Sequence, residues 1–173
     1  MNTFNTMVRR VKRGDAEAFI GLIEACRMTL RRVALGYLRN DEDVADVMQD
    51  TILDAFEHIS SLKKEEYFKT WIVRILINRC TKKCRSNQRK AYLEDYSEEA
   101  VSDAGKAEVE FREMLSVLPG DSRIIFQLYF GEQFSIKEIA QILEMNENTI
   151  KSRLHRGKEQ LRVSLEGKAL AAR

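Results

Sequence analysis

Asn148, Ser152, His155 and Arg156 fall on one side of the helix that residues 148–161 would form. At about 100° per residue, centring the buried side on Ile150, Leu154 and Leu161 leaves these four opposite. Thr149, Lys151, Arg153 and Lys158 lie towards the flanks. Amides, hydroxyls and guanidinium groups match the hydrogen-bonding edges of bases, while Lys and Arg also match phosphates. Glu159 is the one discordant acid. The solvated face of an ordinary amphipathic helix carries a similar mixture, so periodicity alone leaves both readings open.

The preceding residues can position that face. Ile136, Ile139, Ala140 and Leu143 have the spacing of one helical stripe, as do Ile150, Leu154, Gly157 and Leu161. Ser135 suits the N-cap of the first helix, and Asn146 or Asn148 that of the second. Glu144–Met145–Asn146 is long enough for a tight turn, with Met145 plugging the joint. Two such helices make a helix-turn-helix, whose second helix can enter the major groove.

Residues 41–60, DEDVADVMQDTILDAFEHIS, predict another helix, with Asp41 as its cap and acids in the first turn complementing the helix dipole. Val44, Val47, Met48, Ile52, Ala55, Phe56 and Ile59 form the expected buried stripe. Asp43, Asp46, Gln49, Asp50, Asp54 and Glu57 fall outside it as an acidic ridge. General acid–base catalysis needs a pocket and a perturbed pKa, which a ridge on one helix does not supply. What remains is a solvated face or a docking surface for a basic partner.

The next helix changes sign. In residues 65–90 the apolar face is Phe68, Trp71, Ile72, Ile75, Leu76 and Cys80. The other side carries Lys69, Arg74, Asn78, Lys82, Arg85 and Arg89, with Arg79, Lys83 and Lys90 beside them. Cations clustered on one side of a helix are the electrostatic footprint of a phosphate backbone, although such runs are often only solvated.

One proline among 173 residues and segments rich in Leu, Ala, Glu, Lys and Arg predict an all-α chain. A net charge of +2 says little by itself. No apolar run reaches membrane-spanning length, and the first residues lack a secretory apolar region. Three cysteines, with no CxxC and two distant histidines, argue against a disulfide framework or a zinc site and fit a reduced cytoplasmic setting. No metal ligand set, nucleophile–base pair or phosphate loop is apparent, so no cofactor and no catalytic residue is expected. Residues 91–108 are acidic and weak in helix formers, and read as a flexible linker between two small helical domains, 1–90 and 109–173.

Residue order adds a resemblance. Leu118, Pro119 and Arg123, then Glu138, Ile139, Ala140 and Leu143, then Thr149 through Arg156 and Leu161, resemble the C-terminal promoter-binding domain of extracytoplasmic-function (ECF) sigma factors. The family's usual Gly before the Thr is Asn148 here. Asp43, Asp46, Gln49, Phe68, Thr70, Trp71, Ile72, Arg74, Ile75, Asn78 and Arg85 resemble the other conserved domain of the same family.

The resemblance implies a non-enzymatic transcription initiation factor. Asn148, Thr149, Lys151, Ser152, Arg153, His155 and Arg156 would meet the −35 promoter element. Lys63, Lys64, Lys69, Arg74, Asn78, Lys82 and Arg85 would engage the −10 region, where loop 61–67 helps to hold a flipped base. Asp43, Asp46, Gln49, Asp50 and Asp54 would dock on the clamp helices of core RNA polymerase, with the polymerase flap as a further contact. The linker would thread the RNA path, and a membrane-anchored anti-sigma factor would mask the docking surfaces. A stand-alone helix-turn-helix regulator would leave the acidic ridge unexplained, and an interaction module that never touches DNA would leave the basic helix unexplained.

Overall fold

With so few helix breakers, helix dominates. The computed structural model describes residues 3–91 and 105–172, and these contain eight α-helices and no strand. The chain divides into two compact units, Met1–Ala100 and Val101–Arg173. The acidic-linker reading of 91–108 concerns chiefly residues 92–104, outside the described residues, and helix α5 already begins at Lys106 within the expected linker.

The first unit holds α1 (Thr3–Lys12), α2 (Ala16–Leu35), α3 (Asp41–His58) and α4 (Phe68–Ala91). Gly14, at φ 94°, turns the chain between α1 and α2, and Asp15 caps α2 by accepting the Ala18 N–H at 3.0 Å. α1 packs on α2, α3 on α4, and α2 on both α3 and α4. Leu22, Leu30, Val33, Phe68, Ile72, Val73 and Leu76 are fully enclosed between them. Each such side chain contributes about 1.5–3 kcal/mol by leaving water.

Two expectations for α3 are corrected. Its N-cap is Asn40, not Asp41: Asn40 has the extended backbone a cap requires, and its Oδ1 accepts the Asp43 N–H at 2.8 Å. Asp41 sits inside the first turn and pairs with Arg31 at 3.2 Å. Phe56 is not core but 56% exposed, its ring edge-on to Phe19 with centroids 5.2 Å apart. Thr51 is enclosed in the stripe instead, its hydroxyl satisfied by the Val47 carbonyl at 2.7 Å.

The second unit holds α5 (Lys106–Leu115), α6 (Gly120–Phe126), α7 (Ile136–Leu143) and α8 (Glu147–Ala171). A wide π-turn at Gln127–Gly131 extends α6. Buried Gln127 donates from Nε2 to buried Glu132 at 3.2 Å, which fixes the corner leading into α7. α7 opens with a capping box: Ser135 Oγ accepts the Glu138 N–H, and Glu138 Oε2 accepts the Ser135 N–H at 2.8 Å. Its buried stripe centres on Ile139 and Ile142, whereas the sequence reading omitted Ile142 and gave that place to Ile136, Ala140 and Leu143, all half-buried.

Glu144 closes α7 in the left-handed region at φ 55°, and Asn146 then caps α8 by accepting the Asn148 N–H at 2.8 Å. Ile150, Leu154, Gly157 and Leu161 are buried, as expected. α6 and α8 cross closely at Gly157, where a Cβ would stand 2.4 Å from the Phe126 ring. α8 runs past the buried stripe to Ala171, with Arg162 bridging Glu159 at 3.1 Å and Glu166 at 2.9 Å.

Candidate nucleic-acid interface

The capped turn and the α6–α8 crossing decide which side of α8 faces outward. Asn148, Lys151, Ser152, His155 and Arg156 are exposed there, and Thr149 is half-buried at their edge. Arg156 Nε reaches back to the Ser152 carbonyl at 3.4 Å, so its guanidinium lies along this surface. Arg153 differs from the others. It donates from Nη1 to Asp121 Oδ2 at 2.8 Å, tying α8 to the first turn of α6. Lys158 Nζ stands over the Phe130 ring, 5.7 Å from its centroid.

On α4, Arg74, Asn78, Lys82 and Arg85 are all exposed. Their spacing of four, four and three residues draws one line roughly 16 Å long. Lys69 is half-buried one turn earlier. Lys63 and Lys64 are exposed between two short 3₁₀ turns, Ile59–Ser61 and Glu65–Tyr67, with Lys64 Nζ 5.8 Å from the Tyr67 ring centroid. Trp71 is half-buried against Phe68, at 5.9 Å between centroids. Val73 and Ile77, outside the expected apolar face, are buried.

The remaining cations of α4 are committed elsewhere. Arg79 donates to both carboxylate oxygens of Asp54 at 2.6 Å and lies 3.7 Å from Asp50. Lys83 pairs with Asp43 at 3.0 Å and with Asp46 at 3.3 Å. The Arg79 hydrogen bonds hold the Asp54 carboxyl below its ordinary range. Burial pushes Asp43 up, but hydrogen bonds from Lys83, Asn87 and Asn40 outweigh it and leave its pKa lowered.

The acidic ridge is therefore not uniformly exposed. Asp43 is only 8% exposed and faces α4, where Asn87 Nδ2 donates to it at 2.7 Å. Asp46, Gln49 and Asp50 are exposed beside a groove of about 370 Å³ that Arg79, Lys82, Lys83 and Ser86 also line. Leu53 and Phe56, each 56% exposed, continue the surface from Gln49 at steps of four and three residues. Sequence reasoning missed both. Leu53 lies outside a stripe that was already complete, and that surplus apolar residue was the available signal.

Burial pushes the Cys26 thiol up to about 11 and the Cys80 thiol up to about 12. Cys84 donates to the Tyr37 carbonyl at 3.3 Å and is raised too, again mainly by burial. Among the described residues, no group of three or more His, Cys, Asp and Glu is placed to hold a metal ion, and no helix is long and apolar enough to cross a membrane.

Two family descriptions match this arrangement: Sigma-70 region 2 over residues 22–90, spanning α2 to α4, and Sigma-70, region 4 over residues 108–161, spanning the helix-turn-helix. The RNA polymerase sigma factor SigV of Bacillus subtilis is 28% identical over 137 residues, covering 78% of this chain and 82% of its own length. The ECF RNA polymerase sigma factor SigW of the same organism is 27% identical over 177 residues, covering 91% and 94%. The solved sigma factor RpoE of Bartonella quintana, in complex with the anti-sigma factor NepR, superposes with a TM-score of 0.75 at 25% identity, covering 87% of this chain and 98% of that one. Both conserved regions in the same order, on helical units that carry the expected motifs, establish that the chain belongs to the sigma-70 family, in its ECF group.

Proposed function

We propose that this chain binds core RNA polymerase and directs it to promoters through two separate DNA contacts. The observation that carries the reading is the pairing of outward faces. One, on α8, has amide, hydroxyl and guanidinium groups suited to base edges, and the other, on α4, is a line of cations with one amide. Asn148, Lys151, Ser152, His155 and Arg156 read the −35 element, with Thr149 at the edge and Arg153 orienting the helix. Arg74, Asn78, Lys82 and Arg85, with Lys69, Lys63 and Lys64, engage the −10 region and the strand that melts there.

The exposed side of α3 meets the polymerase. Asp46, Gln49 and Asp50 supply its polar part, and Leu53 and Phe56 supply apolar anchors of the kind that dominate binding at interfaces. Asp43 and Asp54 support that surface from within through Lys83 and Arg79. The polymerase supplies the chemistry, and the chain acts in the cytoplasm. The RpoE–NepR complex supports regulation by an anti-sigma partner.

The test is transcription in vitro with purified core polymerase on a fragmented genomic library, with and without the protein. Starts that appear only with the protein and share two upstream elements are the expected result. No new starts, together with tight sequence-specific DNA binding, would make the chain a conventional regulator instead.

A further inference from the structure

The loop between α3 and α4 is held from a distance. Lys12, at the end of α1, donates from Nζ to the Leu62 carbonyl at 2.6 Å and to Glu65 Oε1 at 3.3 Å. Arg9, one turn earlier, brings Nε within 3.8 Å of the other Glu65 oxygen. Phe4, at the start of the same helix, packs edge-on against Phe68, with centroids 5.6 Å apart. One short helix thus grips the loop at its carbonyl, its carboxylate and its exit into α4.

Between those grips stand Lys63 and Lys64, both exposed. Leu62 and Ile59 are buried beneath the loop, so its base is packed and its cationic tip projects. Glu65 is the awkward member. It places a carboxylate next to two lysines that would face a polyanion. Its own backbone N–H and then Lys12 hold that carboxyl below its ordinary range, so it is charged at neutral pH. Lys12 and Arg9 offset that charge from α1.

We infer that Lys12 is a positioning residue for single-strand capture: it presents Lys63 and Lys64 to the melted strand and cancels the Glu65 charge beside them. The inference rests on the reading above that this loop meets the −10 region. Lys12 need not touch DNA, since it acts through Leu62 and Glu65. Its removal frees the loop carbonyl and leaves the Glu65 carboxylate with Arg9 alone, at 3.8 Å, to offset its charge beside the phosphates. The docking face of α3 is untouched, so polymerase binding and promoter opening separate.

The test uses full-length protein in holoenzyme on a duplex fragment carrying a promoter recovered in the transcription experiment. Opening is read as permanganate-reactive thymines, and polymerase association is read separately. Lys12→Ala is expected to reduce opening about tenfold, the size of one lost charge-assisted hydrogen bond, with association unchanged. Lys12→Arg restores most of the opening. Adding Glu65→Gln to Lys12→Ala recovers part of it, because the charge that Arg9 offsets only in part is gone. Wild-type opening by Lys12→Ala, an equal loss of polymerase association, or no relief from Glu65→Gln would each overturn the inference while leaving the sigma reading intact. Failure of the wild-type protein to direct any start would instead remove the reading beneath it.

Discussion

Arg153 on α8 donates its guanidinium to Asp121 of α6, at 2.8 Å, rather than to open solvent. Asp121 is 79% exposed and the arginine 26%, so the pair lies at the rim of the surface. A pair of this kind contributes about 0.2–1 kcal/mol. Arg153→Ala is therefore expected to lower stability by no more than that, and Asp121→Ala together with it to add little. Its loss of promoter affinity should be smaller than that of Arg156→Ala, expected at about 1–3 kcal/mol if Arg156 makes a bidentate base contact. Fluorescence anisotropy with a promoter duplex checks both, and a larger loss for Arg153→Ala would return it to the reading face.

At Gly157 α8 lies against the Phe126 ring of α6. A Cβ there would sit 2.4 Å from Phe126 Cε2 and 2.7 Å from Cζ, and Phe126 is itself buried. Gly157→Ala should destabilise the second unit by about 1–3 kcal/mol through overpacking, despite alanine's better helix propensity. Phe126→Leu in the same chain should recover part of that loss. Urea denaturation of the single and double variants measures it.

Asp54 and Asp43 both have lowered folded pKa values, from an ordinary value of 3.8. A lowered carboxylate pKa favours folding above the unfolded value and loses that contribution as pH falls through the folded one. Thermal stability should hence be flat in this respect at neutral pH and fall below about pH 4. Asp54→Asn should flatten that acid limb, since Arg79 then has no titrating partner at that position. Melting curves between pH 3 and pH 7 would show it.

Gln49→Ala with Phe56→Ala should weaken polymerase association at least tenfold, because the pair removes an exposed aromatic anchor and its polar neighbour. Folding should survive, since neither residue belongs to the enclosed core. Intact association would dismiss α3 as the docking element.

Lys82 gives a sharper electrostatic check. It is exposed between Asn78 and Arg85, and its neighbour Lys83 is already engaged by Asp43 and Asp46. Removing one phosphate contact lowers the slope of log affinity against log salt by about one. Lys82→Ala should show that change in promoter binding by holoenzyme, and Lys83→Ala should instead lower stability.

The helices and the buried stripe of α8 were legible because their signals are local: Ser135 before Ile136, and Ile150, Leu154, Gly157 and Leu161 in register. What was not legible depends on partners far along the chain. Periodicity placed Asp43 on an exposed ridge, but Lys83, forty residues later, draws it inward. Nothing near Lys12 announces Leu62 or Glu65. Phe56 has the spacing of a core residue, and only the packing of α2 against α3 shows that the core is complete without it. Asp41 and Asn40 are both good caps by type, and the extended backbone at Asn40 with its bond from the Asp43 N–H chose between them.

The raised thiols have a practical side. With Cys26 near 11, Cys80 near 12 and Cys84 also raised, very little thiolate exists at neutral pH to meet a maleimide or a peroxide. A single cysteine introduced at an exposed position such as Gln160 would then be the fastest-reacting sulfur in the chain. A dye placed there would report one location, with the three native cysteines left in place.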